Sequence, residues 1–192
     1  GGVCVDVPTY AEEDYAISEE RLRAAITPRT KAIIFNNPTN PTGMGYDLST
    51  MEMLARVAKE YDLLIAADEI YTTYIYEGDF RPIRTLPGMA ERTITLNSFS
   101  KNFLMTGWRL GYCMADAKLM DRIQVFHQYC VTSVPSFVQR ACVTALETDT
   151  SDVVEIFRRR RDYVYQRLVD MGLDVEKPEG AFYMFVDIRK FG

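Results

Sequence analysis

Lys101 lies in the segment SFSKNFLMTGWRLGY, where two serines precede it and an apolar run ending in Gly-Trp-Arg follows it. A lysine that is shielded from water and close to other positive charge loses its proton more readily. The neutral amine can then attack a carbonyl carbon and form a Schiff base. Ser98, Ser100 and Arg109 carry hydroxyl and guanidinium donors, which suit a phosphate dianion. The segment therefore predicts a nucleophilic amine beside a group that binds an anion.

Two other segments place polar residues directly after apolar runs. Asn40 lies in NNPTNPTG, which follows AIIF, and Asp68 and Tyr71 lie in DEIY, which follows LLIAA. A buried Asp68 carboxylate would be costly without a partner, so we expect it to face a cation or a protonated ring nitrogen. A Schiff-base lysine, a carboxylate opposite a pyridinium nitrogen and a phosphate site are together the requirements for holding pyridoxal phosphate.

Strands must position these residues, and the hydrophobic pattern predicts them. Apolar runs of strand length occur at residues 31–35, 62–67, 91–98 and 109–115. Strands that are apolar on both faces and separated by helices indicate an α/β fold, with a mostly parallel sheet covered by helices on two sides. Ligands bind beyond the carboxyl ends of such strands, so the polar residues after the first three runs are expected to converge.

Helical patterns are predicted at residues 49–61, 117–130, 136–147 and 152–171. In the first helix, Ser49 and Glu52 have the spacing of a capping box. In the last helix, the arginines of RRRR, residues 158–161, are expected to form a solvated face. The segment GAFYMFVDI, residues 180–188, is predicted to be a strand.

The change in character near residue 148 predicts a domain boundary. Residues 1–148 would form part of a large domain, and residues 149–192 an interdomain helix and the truncated start of a smaller α+β domain. The chain does not begin with Met and its first residues lack the features of a secretory signal, so we expect a fragment.

Composition favours a small-molecule partner. The chain has 192 residues, of which 47% are hydrophobic and 26% charged, and its net charge is −5. It has no apolar stretch long enough to span a membrane, and this charge does not favour nucleic acid or an acidic membrane surface. The four cysteines are widely spaced and His127 is the only histidine. We therefore expect no metal site, a structural histidine and free thiols in a reducing, cytoplasmic location.

At these residues the sequence resembles the class I and II aminotransferases, which are pyridoxal-phosphate enzymes of fold type I. The segments NNPTNPTG, ADEIYTTYIY, SFSKNFLMTGWRLGY, SVPSFVQRACVTALE and EGAFYMF occur in the family's order, and Arg109 follows Lys101 at the family's spacing. The resemblance covers nearly the whole chain. It implies an incomplete large domain of the pyridoxal-phosphate-dependent transferase fold, followed by the start of the small domain.

The resemblance implies a role for each residue at the reactive end of the cofactor. Lys101 would form the Schiff base and, after an amino acid displaces it, carry a proton between the substrate α-carbon and the cofactor. Asp68 would keep the ring nitrogen protonated. Asn40 and Tyr71 would hydrogen-bond the phenolic oxygen of the ring, and Asn40 would also be close to the substrate carboxylate.

The resemblance also implies which residues bind the phosphate group of the cofactor. Ser98 and Arg109 would bind it, and Ser100 ranks below them because its position in the motif is often occupied by a small residue rather than a direct ligand. The family also implies a homodimer. Its chains are roughly twice as long, and the missing segments supply further cofactor and substrate contacts. These 192 residues alone are therefore expected to bind cofactor weakly or not at all and to be inactive.

The resemblance implies transfer of an amino group between an amino acid and a 2-oxo acid. A carbon–sulfur lyase or a decarboxylase on the same fold would use the same cofactor residues, so these motifs do not exclude it. A regulatory domain that senses pyridoxal phosphate without catalysis is a third hypothesis. Acidic, aromatic and alanine-like amino donors all stay open.

Overall fold

Four strands form the central sheet, in the order in which they occur along the chain. The computed structural model describes residues 1–191. The strands are β1 (Ala32–Asn36), β2 (Leu64–Asp68), β3 (Thr93–Ser98) and β4 (Gly111–Met114). The first three run parallel, whereas β4 pairs antiparallel with β3. The prediction of a mostly parallel sheet is therefore confirmed.

Helices connect and follow the strands. They are α1 (Glu19–Ala25), α2 (Leu48–Glu60), α3 (Phe99–Asn102), α4 (Ala117–Cys130), α5 (Ser136–Leu146) and α6 (Ser151–Asp170). A separate antiparallel pair consists of β5 (Asp174–Val175) and β6 (Val186–Asp187). The four helices predicted from hydrophobic periodicity are all present, with bounds that differ by a residue at most.

Helix α2 packs its apolar stripe against one face of the sheet. Leu54 and Val57 of α2 share a buried core with Ile65 and Ala67 of β2. Burying a side chain the size of leucine or valine contributes roughly 2 kcal/mol to folding. Alternate residues of a strand face opposite sides, so this packing turns the Asp68 side chain away from α2.

The other face of the sheet is covered less than the sequence predicts. Ile34 of β1 is 72% exposed and Leu96 of β3 is 38% exposed. The helices after β4 instead contribute to a small second core, in which Val138 and Cys142 pack around Phe99. Within residues 1–191, the expected covering of both faces is thus complete only on the α2 side.

The predicted capping box of α2 is wrong. The helix is capped by Asp47, whose Oδ1 accepts a hydrogen bond of 2.8 Å from the amide of Thr50. The Ser49 hydroxyl donates to the same carboxylate at 2.9 Å. A carboxylate directly before the first turn accepts from its unpaired amides, so the helix begins one residue earlier than predicted.

The predicted strand at residues 180–188 is also wrong for most of its length, since only Val186–Asp187 is a strand. Gly180 and Ala181 donate their amides to the carbonyls of Gly43 and Tyr74, at 2.8 and 2.9 Å. Gly180 has no room for a side chain, because a Cβ would lie 2.7 Å from the ring carbons of Pro38. The amides of Gly180 and Ala181 are thus bonded to two loops and are not available for pairing with a strand.

The prediction for RRRR is right for part of the run only. Arg159 and Arg160 are exposed, but Arg161 is buried and forms an ion pair with Glu77. The helical period places one of the four arginines on the inner face of α6, where its charge finds a partner.

Candidate active site

The carboxyl ends of β1, β2 and β3 lie side by side. Asn36, the last residue of β1, is in register with Asp68, the last residue of β2, and Asp68 is in register with Leu96 of β3. The side-chain Nδ2 of Asn36 also donates a hydrogen bond of 2.9 Å to the backbone carbonyl of Asp68. The predicted convergence of the three polar strand ends is confirmed.

The turn after β1 places Asn40. The backbone amide of Asn40 donates to the Asn36 side chain at 2.6 Å, and Gly43 donates its amide to Thr39 at 2.8 Å. Gly43 has a φ of +74°, and a Cβ there would lie 2.6 Å from Pro178. Only glycine adopts this conformation without strain at such a close contact, so the turn places Asn40 at the exposed mouth of the strand ends.

Asp68 is half-buried and lacks a cationic partner. Its Oδ1 accepts a hydrogen bond of 3.2 Å from the amide of Ile70, and within residues 1–191 it forms no salt bridge. Burial raises the pKa of the Asp68 carboxyl, because the charged form is poorly solvated there. A protonated ring nitrogen fits this site, since it would supply the positive charge that the carboxylate lacks.

Tyr71 lies one turn after Asp68 and is buried among aromatic rings. Its hydroxyl is hydrogen-bonded to the Tyr183 hydroxyl, and its ring lies edge-on to Phe182, with the ring centroids 5.2 Å apart. Burial, and then the Tyr183 hydroxyl, raises the pKa of Tyr71, while the Asn40 side chain opposes the shift. Tyr71 therefore stays protonated at neutral pH and can donate a hydrogen bond.

Lys101 lies on α3, the short helix that follows β3. Its carbonyl oxygen accepts a hydrogen bond of 2.9 Å from the Tyr74 hydroxyl. Its Nζ lies 5.7 Å from the centroid of the Phe182 ring, and that ring also contacts Tyr71. The structure thus brings Lys101 and Tyr71 to the same aromatic ring, and Asp68 ends β2, the strand that pairs with β3.

At the start of α3, Ser98 contacts Ser100 and the residue next to Arg109. The Ser98 hydroxyl donates to the Leu110 carbonyl at 3.0 Å and accepts from the Ser100 amide at 3.0 Å. Arg109, next to Leu110, has a φ of +55°, and one of its guanidinium nitrogens donates to the Thr106 carbonyl at 2.9 Å. The rest of this exposed guanidinium is available to an anion, whereas the Ser98 hydroxyl would have to turn from Leu110 to donate to one.

Sequence patterns did not identify the aromatic side of the site. Phe182 and Tyr183 come from the segment that was predicted to be a strand, and Tyr74 holds the Lys101 carbonyl from the segment after β2. A signal was present in EGAFY, where Phe182 and Tyr183 come two and three residues after a glycine. A glycine in such a segment often marks the close approach of another backbone rather than a strand interior.

Glu69 is a second carboxyl that the motifs did not single out. It is 5% exposed and faces the core side of β2, opposite Asp68. Burial raises the pKa of Glu69 to about 7; Asp68 adds to the shift and Arg84 opposes it. Burial, and then the charge of Glu69, raises the pKa of Tyr112.

Replacing Glu69 with glutamine should change how stability depends on pH. A carboxyl whose pKa is raised by folding stabilises the protein fully below its unfolded pKa, and this contribution is lost as pH rises through the folded pKa. For Glu69 the loss spans about pH 4.5 to 7 and is on the order of 3 kcal/mol. We expect the thermal midpoint of the wild type to fall more steeply than that of Glu69→Gln between pH 5 and 8. Parallel curves would contradict this, and Glu91→Gln, on the surface, is the control.

Other kinds of site find little support in the described chain. No helix within residues 1–191 is both long and apolar enough to cross a bilayer. In the same range, no three His, Cys, Asp or Glu side chains are grouped so as to hold a metal ion. The cysteines are free, with Cys142 buried, and His127 is exposed on α4.

Comparison with known proteins agrees with this geometry. A family model described as aminotransferase class I and II matches residues 1–191. Over its whole length the chain is 43% identical to aromatic-amino-acid aminotransferase 2 of Thermococcus litoralis and 42% identical to aspartate aminotransferase of Pyrococcus abyssi, covering 51% of each. Its fold matches the crystal structure of an aromatic aminotransferase from Pyrococcus horikoshii with a TM-score of 0.93 at 40% identity, over 96% of this chain and 51% of that one. The chain thus spans about half the length of these relatives.

Proposed function

Since the chain belongs to the class I and II aminotransferase family, we propose that the full-length protein is a pyridoxal-phosphate-dependent aminotransferase. It would move an amino group between an amino acid and a 2-oxo acid. One observation supports this most strongly: the Lys101 amine faces the aromatic group around Tyr71, and the unpaired Asp68 carboxyl ends the neighbouring strand.

Four side chains would hold the reactive end of pyridoxal phosphate. Lys101 would bind its aldehyde carbon, Asp68 its ring nitrogen, and Tyr71 and Asn40 its phenolic oxygen. When bound, the cofactor supplies a protonated ring that withdraws electrons from the substrate α-carbon. The chain's part is to keep the Asp68 carboxylate opposite the ring nitrogen, to donate a hydrogen bond from Tyr71, and to carry a proton on Lys101 Nζ.

The phosphate would lie against the turn at the start of α3. Arg109 supplies guanidinium donors that are not used within the described residues, which supports a charge-assisted contact with a dianion. Ser98 would add a hydroxyl after turning away from Leu110. Ser100 ranks below both, because its defined contact is through its backbone amide.

The aminotransferase hypothesis is favoured over a carbon–sulfur lyase, a decarboxylase or a cofactor-sensing regulator because the relatives are named aminotransferases. Their names differ in the amino donor, aromatic in one and aspartate in the other, at almost equal identity to this chain. We therefore propose the reaction type, and a panel of acidic, aromatic and alanine-like donors would identify the substrate.

The proposal includes the organisation of the protein. Residues 1–148 would belong to the cofactor domain and residues 149–192 to the interdomain helix and the start of the small domain, a division supported by the separate β5–β6 sheet. A homodimer and a cytoplasmic location are proposed with it; the free cysteines agree with a reducing compartment.

Reduction of the loaded protein tests the proposal directly. The full-length protein is mixed with pyridoxal phosphate, reduced with borohydride and digested, and the modified peptide is identified by mass. We expect the label on Lys101, and a label on another lysine would refute the assigned site. A matched assay separates the reaction types: an aminotransferase forms product only when a 2-oxo acid is present, whereas a β-lyase releases pyruvate and ammonia without one.

A further inference from the structure

Arg161 is a buried cation on the inner face of α6. Its side chain is 6% exposed, and its Nη1 donates to the Pro178 carbonyl at 2.8 Å and lies 3.0 Å from Glu77 Oε1. Its Nη2 lies 2.8 Å from Asp162 Oδ1, and the guanidinium carbon lies 4.7 Å from the centroid of the Tyr76 ring. A buried guanidinium is tolerated only when its donors are satisfied, so these contacts fix Pro178 relative to α6.

Its neighbour Arg159 provides a contrast on the same helix. The Arg159 side chain is 74% exposed, and its ion pair is with Glu155, one turn earlier. An exposed pair of this kind contributes little to stability. Arg161 thus contacts residues outside α6, whereas the ion pair of Arg159 lies within the helix, although both belong to one run of four arginines.

Pro178 begins a segment, residues 178–183, that we call the 178–183 loop. Glu179 and Gly180 donate their amides to the Gly43 carbonyl at 3.0 and 2.8 Å, and Ala181 donates to Tyr74 at 2.9 Å. The loop is thus hydrogen-bonded on one side to the turn that carries Asn40 and on the other to the segment that follows Tyr71.

The far end of the 178–183 loop enters the candidate active site. Phe182 contacts the Tyr71 ring and lies below the Lys101 amine, and the Tyr183 hydroxyl is hydrogen-bonded to that of Tyr71. Phe157 of α6 packs against Phe182 with the ring centroids 5.5 Å apart. Helix α6 therefore holds both ends of the loop, through Arg161 and through Phe157.

We propose that Arg161 is a positioning residue, which holds the 178–183 loop in place so that Tyr183 supports the Tyr71 hydroxyl in the active site. The effect of Arg161 on bound pyridoxal phosphate, through Tyr183 and Tyr71, rests on the proposed function. If Tyr71 donates its proton to the cofactor's phenolic oxygen, Tyr183 is left to donate to Tyr71, and hydrogen bonds in such a chain strengthen one another. A loosened loop would then weaken the donation from Tyr71.

The test compares Arg161→Met with Arg159→Met in the full-length protein. Hydrogen exchange of the peptide that contains the 178–183 loop is measured without cofactor, and the pH midpoint of the lysine-bound cofactor's absorption band is measured with it. For Arg161→Met we expect exchange at least about tenfold faster in the loop, because the anchor at Pro178 is lost. We also expect a higher pH midpoint, because a phenolic oxygen with a weaker donor keeps its own proton to higher pH. Arg159→Met should leave both as in the wild type.

Two milder variants keep the test usable if Arg161→Met does not fold. Arg161→Lys retains the charge but not the forked contacts, and Glu77→Gln weakens the ion pair from its half-exposed end. Both should change exchange and midpoint in the same direction as Arg161→Met, by less. Unchanged loop exchange in all three variants, or equal acceleration in Arg159→Met, would overturn the proposal.

The two readouts separate this inference from the function on which it rests. Faster loop exchange with an unchanged pH midpoint would show that Arg161 is structural only and would overturn its positioning role. If the wild type binds no pyridoxal phosphate, the proposed function fails. Exchange in the cofactor-free protein then still decides whether Arg161 holds the 178–183 loop in place.

Discussion

Replacing Lys101 with methionine in the full-length protein is expected to lower kcat/KM for amino transfer by about 10⁴-fold or more. The variant would lose both functions proposed for this amine, the covalent hold on the cofactor and the proton transfer at the substrate α-carbon. Methionine is close in length to the lysine side chain, and the contact of the chain with Phe182 is apolar, so we expect the fold to be retained. Steady-state kinetics and borohydride labelling together measure both losses.

Lys118→Met is the matched control, because Lys118 is an exposed residue at the start of α4. We expect it to keep wild-type activity and labelling. Residual activity of Lys101→Met above a hundredth of the wild type would show that another base moves the proton. Retention of the borohydride label in that variant would place the covalent site elsewhere.

The convergence of the polar strand ends could be predicted from the sequence, because it depends only on how the strands pair. Parallel strands bring their carboxyl ends to one edge, so residues that follow successive strands in the sequence become neighbours in space. Asn36, Asp68 and Ser98 end the three parallel strands and illustrate this rule. No long-range information beyond the apolar runs was needed.

Contacts between distant loops could not be predicted in the same way. The amides of Gly180 and Ala181 donate hydrogen bonds to carbonyls more than a hundred residues earlier in the chain. The alternation of polar and apolar side chains in a short segment does not indicate which distant residues its backbone will bond. The buried position of Arg161 left a weak signal, since it lies four residues after Phe157 and shares its helix face. The pattern of charges alone does not distinguish it from Arg159.

Asp68 and Glu69, at the end of β2, show how an extended backbone directs two adjacent carboxyls to different environments. Asp68 is half-buried at the edge of the sheet where the strands end, whereas Glu69 is buried, because consecutive residues of an extended backbone face opposite sides. Burial raises the pKa of both, so each ionised carboxylate costs folding free energy. For Asp68 this cost has a use, since a half-buried anion without a partner binds a cation strongly.

Asp68→Asn should therefore have opposite effects on activity and on the stability of the cofactor-free protein. Two opposite charges about 4 Å apart, at an effective dielectric of about 20, attract each other by about 4 kcal/mol. If the Asp68 carboxylate faces the ring nitrogen as proposed, it would favour the protonated nitrogen by an energy of this order. Removing that charge should lower kcat/KM by roughly 10³-fold. Asparagine can still accept the Ile70 amide, so the local backbone should not change.

The stability of the same variant has a definite dependence on pH. The raised pKa of Asp68 means that its stabilising contribution is complete below its unfolded value, about 3.9, and is lost as pH rises through the folded value. Without cofactor, Asp68→Asn should thus melt at a higher temperature than the wild type at pH 7, with the difference vanishing near pH 3. With cofactor the order should reverse at pH 7, because only the wild type gains from the ring nitrogen. Asp79→Asn, in an exposed loop, should follow the wild type throughout. A cofactor-bound Asp68→Asn that still melts above the wild type would show that the carboxylate does not face the ring nitrogen.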